Sequence, residues 1–324
     1  MRIGIVQRQL KILFMTKKRG ISVRTSNLKS RKVKTQIIQE SRERELILIN
    51  YSENNTLPLS ERPIVIFDSG AGGLPYLELA ISRLPGEYFY YVADTENFPY
   101  GDKETASVQD IVVNLTDRII KKWHPKCIIV ACNTASVIAL SHLREKYTTV
   151  PFIGVVPAVK PAAAESARRK FGVLATPQTV QNSYLSGLID SFAPHCDVII
   201  LPAGNLRDIV EEGYFSTSRE LKIDAIHRVT KKIPLDEIDS LVLGCTHFIH
   251  LEEEFKLVLG KKIQLIDSRS GVINQLVRVL EREQLCARSR SGNNTLFVTR
   301  DDVVRIRQYR LFAEKYRICF GGQL

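Results

Sequence analysis

The sequence predicts an α/β chain of two similar parallel-sheet lobes, with the second inserted into the first and a ligand site in the cleft between them. Three observations lead there. From residue 64 onward, short aliphatic runs alternate with amphipathic segments of helical length, the pattern of βαβ units and parallel sheets. The alternation breaks near PAVKPAAAE (157–165) and then resumes. Two of the aliphatic runs end in the same way, IIVACNTAS (128–136) and LVLGCTHFI (241–249), each with a small residue before a cysteine and threonine close after it.

In order, IVIFDSG (64–70) reads as a buried strand ending in a turn, and GGLPYLELAISRL (72–84) as an amphipathic helix. EYFYYVAD (87–94) is a second strand and TENFPYGDK a loop; 108–123 has helical spacing. CIIVAC (127–132), a helix over 134–147 and PFIGVV (151–156) complete the first half. FGVLAT (171–176), a helix over 178–191, DVIILP (197–202), a helix around 218–233 and SLVLGC (240–245) form the second. IQLIDS (263–268) reads as a strand leading back to the first half. The expected division is a basic extension over 1–62, a first lobe from 63–157 plus 266–324, and a second lobe over 158–265.

Composition narrows the classes. The chain has 324 residues, 44% apolar and 25% charged, enough for one large core or two medium ones. No apolar stretch reaches the ~18 residues of a membrane span. Six cysteines without CxxC pairs or histidine clustering argue against a zinc site and a secreted disulfide framework, so free thiols in a reducing cytoplasm are expected. The net charge of +11 is unevenly placed: residues 1–62 hold 14 Lys and Arg against 5 Glu, leaving 63–324 nearly neutral. That extension admits a solvated, poorly ordered tail, an arm contacting nucleic acid, or a transit peptide, and Met15 offers an alternative start.

Four motifs carry candidate chemistry. In FDSGAGG (67–73), Asp68 ends a strand and Ser69 with three glycines forms a turn into a helix, where backbone N–H groups can approach an anion. It lacks both the P-loop ending and the GxGxxG spacing. PYG (99–101) offers the Tyr100 hydroxyl and the Gly101 N–H; CNTAS (132–136) and GCTH (244–247) set Cys132 beside Asn133 and Thr134, and Cys245 beside Thr246 and His247. Each has an ordinary structural reading alone: a turn, a helix cap at Asp68, an inert buried thiol, a hydrogen-bonded histidine. Core packing gives no reason to repeat a polar-flanked cysteine at two strand ends. Such ends face the crevice where open α/β sheets bind ligands, and thiols facing one carbon from opposite sides could remove a proton from one face and return one to the other.

FDSGAGG, PYG, ACNTAS, the IVEEG stretch (209–213) and LGCTH occur in the order found in the glutamate racemases of the aspartate/glutamate racemase superfamily, which the chain resembles over roughly residues 63–320. The resemblance implies two α/β lobes around the active site, with Cys132 and Cys245 as acid/base cysteines. In the family's assignment Cys132 takes the proton from the D-enantiomer and Cys245 from the L-enantiomer. Asp68 and His247 are expected to assist Cys132 and Cys245, with Glu211 supporting His247. Asp68, Ser69, Tyr100, Gly101, Asn133, Thr134, Thr246 and His247 match substrate positions, as do Thr176 and Thr179 in ATPQT. Ala175 replaces the usual glycine, and Phe248-Ile249 the usual tyrosine-proline.

The implied activity is cofactor-independent interconversion of L- and D-glutamate without a metal, supplying D-glutamate for peptidoglycan in a bacterial cytoplasm; a homodimer is compatible with the sequence. Aspartate and hydantoin racemases share the lobes and the cysteine pair. A superfamily decarboxylase would keep one thiol. A two-lobed binding protein without catalysis would need an export signal.

Overall fold

Ile64–Asp68 (β1) is buried along its whole length, with Ile64 and Ile66 in one apolar layer and Val65 and Phe67 in another. A strand covered on both faces reads as an unbroken aliphatic run, as in parallel sheets. The computed structural model describes residues 57–300 and 302–324. β1 pairs in parallel with Phe89–Ala93 (β2) and Cys127–Val130 (β3), and β3 with Phe152–Gly154 (β4). Lys170–Ala175 (β5) lies between Asp197–Pro202 (β6) and Ser240–Leu243 (β7), with Gln264–Ile266 (β8) beside β7. Thr295–Val298 (β9) and Cys319–Gln323 (β10) return to the first sheet. The orders are β10-β9-β2-β1-β3-β4 and β6-β5-β7-β8.

The helices that matter to the site start at strand ends. Leu74–Arg83 (α1) follows β1, Thr105–Trp123 (α2) follows the Tyr100–Asp102 3₁₀ turn, and Asn133–Lys146 (α3) follows β3. Val159–Glu165 (α4) links the sheets, then Pro177–Gln181 (α5) and Ser183–Phe192 (α6) follow β5. Gly204–Gly213 (α7) and Arg219–Thr230 (α8) lie between β6 and β7. Glu252–Leu259 (α9), Arg269–Arg282 (α10) and Val303–Lys315 (α11) complete the set.

Strand order reverses twice. β1 has β2 on one side and β3 on the other; β5 has β6 and β7. At such switch points the loops leaving adjacent strands turn to opposite faces and open a crevice at the carboxyl ends. Asp68 ends β1, Thr176 directly follows β5, and Cys132 and Cys245 each lie two residues past the ends of β3 and β7, the four strands flanking those points.

Some expectations change in detail. The helix expected over 178–191 is two, because Asn182 leaves the helical conformation and caps α6 by accepting from the Tyr184 N–H at 2.9 Å. The strand expected at 263–268 is shorter and belongs to the edge of the second sheet. α7, which holds IVEEG, and everything after 268 had no forecast as elements. Of the basic extension, residues 1–56 lie outside the described residues. Residues 59–61 form a 3₁₀ turn held to the first lobe, with Lys126 Nζ donating to the Ser60 carbonyl at 2.5 Å.

Candidate active site

Asp68 is fully buried where β1 stops. Its Oδ1 accepts from Ser69 Oγ at 3.1 Å and the Gly70 N–H at 3.0 Å; its Oδ2 accepts from Thr246 Oγ1 at 2.9 Å. The Asp68 side chain therefore joins the ends of β1 and β7, one from each sheet. Cys132 stands at the residue before α3, with Sγ 4.0 Å from Ser69 Oγ, so Ser69 stands between this thiol and Asp68. Tyr91 fixes the turn after β1, donating to the Gly70 carbonyl at 2.7 Å and accepting from the Gly73 N–H at 3.0 Å.

Cys245 immediately precedes the 3₁₀ segment Thr246–Leu251, and its Sγ lies 3.9 Å from His247 Nδ1. The other ring nitrogen, Nε2, is 3.1 Å from Glu211 Oε2, which also accepts from the Ala71 N–H at 2.8 Å. Two glycines make this approach sterically feasible. A Cβ on Gly70 would sit 2.3 Å from Glu211 Oε2, and one on Gly72 2.3 Å from His247 Nδ1. Phe248 and Ile249 are buried in the apolar core.

A threonine chain continues across the sheets: Thr134 Oγ1 is 3.4 Å from Thr176 Oγ1, which is 3.0 Å from Thr179 Oγ1. A Cβ on Gly101 would approach the Thr176 Cβ to 3.2 Å, so the turn after Tyr100 packs on the same threonine. Asn133 is buried and among the described residues its Oδ1 has no hydrogen-bond partner, leaving an acceptor for a bound donor. The Tyr100 hydroxyl, expected to meet substrate, donates to Asp94 Oδ2 at 2.5 Å. Asp94 also accepts from Thr299 Oγ1 at 2.7 Å and Asn97 Nδ2 at 3.0 Å.

These contacts set the charges. For His247, burial alone lowers the pKa, but the hydrogen bonds to Cys245 and Glu211 and the charge of Asp68 outweigh it and raise it to about 10. The ring is then an imidazolium at neutral pH. Burial, reinforced by the Asp68 charge, pushes the Cys132 thiol well above the usual range. Burial likewise raises Asp68, against the pull of His247. The two thiols thus sit in unlike fields, a cation beside Cys245 and an acidic group behind Cys132. Among the described residues, no group of three or more His, Cys, Asp or Glu could hold a metal ion.

The structure brings Asp68, Ser69, Cys132, Thr246, His247, Cys245 and Glu211 into one contact network, and Thr134, Thr176, Thr179 and Gly101 into another. Sequence reasoning missed Asp94, Tyr309, and the Arg207–Asp102 pair, whose guanidinium donates to both carboxylate oxygens at 3.0 Å. Asp94 carried a usable signal, because like Asp68 it stands at the end of an aliphatic-aromatic strand. Arg207 and Tyr309 lie within helices and carried none.

Two parallel sheets whose switch points share acid/base side chains define an α/β protein suited to proton transfer on a small molecule. Residues 78–276 match the family described as Asp/Glu/Hydantoin racemase. The chain is 38% identical over 230 residues to a glutamate racemase of Shewanella denitrificans, covering 71% of this chain and 82% of that protein. A glutamate racemase of Clostridium botulinum is 36% identical over 266 residues, covering 80% of this chain and all of its own length. The Escherichia coli glutamate racemase solved with L-glutamate and the activator UDP-MurNAc-Ala superposes with a TM-score of 0.74 at 32% identity, covering 81% of this chain and 98% of that one. The chain belongs to the Asp/Glu/Hydantoin racemase family.

Proposed function

We propose that this protein is a cofactor-independent glutamate racemase that interconverts L- and D-glutamate by two-base proton transfer and supplies D-glutamate for peptidoglycan in the cytoplasm. The supporting observation is the pair of cysteines at matching strand ends of the two sheets, joined through Ser69, Asp68, Thr246 and His247. The similarity to glutamate racemases, one of them solved with L-glutamate, supports the substrate.

An amino acid's α-proton is very weakly acidic, so each base must be positioned, tuned and dry. Imidazolium His247 sets a positive charge and an N–H against Cys245, the surroundings a thiolate base needs. Cys132, held as a thiol, is the matching acid. With L-glutamate, Cys245 takes the α-proton and Cys132 gives one to the opposite face. In the reverse direction the roles exchange, with Asp68 assisting Cys132 through Ser69. Asn133, Thr134, Thr176, Thr179 and the Gly101 N–H hold the substrate's polar groups, and Tyr100 supports that turn through Asp94.

A circular-dichroism assay with both glutamates and both aspartates, without added cofactor, tests the reading. Glutamate alone should lose optical activity, and in D₂O the product should carry deuterium at the α-carbon. Cys132→Ala and Cys245→Ala should each lower turnover by at least ~10³-fold while retaining the fold. Near-normal turnover in either variant removes the two-base mechanism.

A further inference from the structure

We infer that Tyr309 is a positioning residue for the Cys245 side of the reaction, its hydroxyl fixing the Glu211 carboxylate that in turn orients His247. The inference rests on the racemase reading above and concerns the long helix α11, which lies beyond the family match at residues 78–276.

Glu211 is in a demanding place. It is 5% exposed and sits in the last turn of α7, where unpaired carbonyls make a carboxylate unwelcome. Its Oε2 accepts from Ala71 and His247, at 2.8 and 3.1 Å. Its Oε1 accepts from the Tyr309 hydroxyl, and the neighbouring Gln308 Nε2 donates to the Glu211 backbone carbonyl. Consecutive residues of one helix thus hold both the main chain and the carboxylate of Glu211. α11 lies between two strands of the first sheet and α7 between two of the second, so the support crosses from one lobe to the other.

The terminal torsion of a glutamate is broad and nearly two-fold, so one anchored oxygen leaves the carboxylate plane loose. The Tyr309 hydroxyl removes that freedom and directs Oε2 at His247. Tyr309 is 1% exposed, and burial together with the Glu211 charge keeps its hydroxyl protonated and able to donate at any working pH. Without it, Oε1 would be a buried acceptor with no donor, and the carboxylate would turn or draw harder on the His247 proton.

Tyr309→Phe keeps the ring and deletes only the hydroxyl. Enantiomers have equal free energies, so kcat/KM must fall equally in both directions, by about ten- to a hundredfold for a hydrogen bond to a charged group. Isotope effects separate the two steps. If the change weakens the Cys245 step, that step becomes the higher barrier. The primary effect with 2-deuterated L-glutamate should then rise, and that with 2-deuterated D-glutamate should fall toward one. Gln308→Ala, a half-buried change, should move both in the same senses with smaller amplitude and serves if Tyr309→Phe does not fold. Isotope effects that stay put or shift alike in a folded variant would make Tyr309 a packing residue and overturn the inference. A wild-type protein that does not racemise glutamate would instead remove the underlying reading.

Discussion

His247 meets Cys245 on one ring nitrogen and Glu211 on the other, at 3.9 and 3.1 Å, inside a buried site whose other titratable side chain nearby is Asp68. That arrangement has a thermodynamic signature. A histidine raised to about 10 in the fold, against ~6.5 in the unfolded chain, adds stability that is complete below pH ~6.5 and is lost as pH rises through 10. The size is on the order of a few kcal/mol. Melting temperature should therefore decline from pH 6.5 to 10. His247→Gln should be less stable at pH 7 yet flatter across that window; an unchanged slope in the variant would assign the pH dependence to other groups.

The turn between β1 and α1 works because its glycines leave no side chain where the second lobe arrives. Gly72→Ala would drive a methyl into His247 Nδ1 and Thr246 Oγ1, at 2.3 and 2.5 Å, whereas a Cβ on Gly86 meets nothing within 4 Å. The expected cost of Gly72→Ala is roughly 1–3 kcal/mol of stability, with a loss of turnover as His247 is pushed from Cys245. Gly86→Ala should change neither, and chemical denaturation of both variants beside steady-state kinetics checks the pair. At this scale the sequence was readable where physics is local. β1, β3, β5 and β7 announced themselves because burial on both faces demands unbroken aliphatic runs. α5 and α6 looked like one helix because the break at Asn182 is a cap within a polar stretch. β10 escaped because it is a glycine-containing edge strand exposed on alternate residues, which needs no long apolar run.

Across the molecule, polar contacts tie the two sheets' segments together beside the site. Arg207 of α7 holds Asp102 with two hydrogen bonds and lies 5.5 Å from the Phe98 ring, while Gln178 Nε2 reaches Thr105 Oγ1 at 3.2 Å. Asp102 is half exposed and Arg207 nearly buried, so the pair is worth more than a surface bridge, about 1 kcal/mol. If it steadies the closed arrangement, Asp102→Asn should raise KM for glutamate roughly fivefold with little change in kcat. Small-angle scattering should show a larger radius of gyration for the free variant. An unaltered KM would mean the bridge does not steady the substrate-bound arrangement.

The sequence by itself determined the parallel α/β alternation, the positions of the polar residues ending buried strands, and the pairing of Cys132 with Cys245 as related features. Those follow from local rules, since a strand's burial and its terminal residue are written in consecutive positions. Only the tertiary structure decided that Ser69 stands between Cys132 and Asp68, that the Tyr100 hydroxyl turns to Asp94, and that Tyr309 reaches Glu211 across 98 positions. Hydrogen bonds between distant segments depend on how two sheets and their helices pack, and no short stretch of chain encodes that distance.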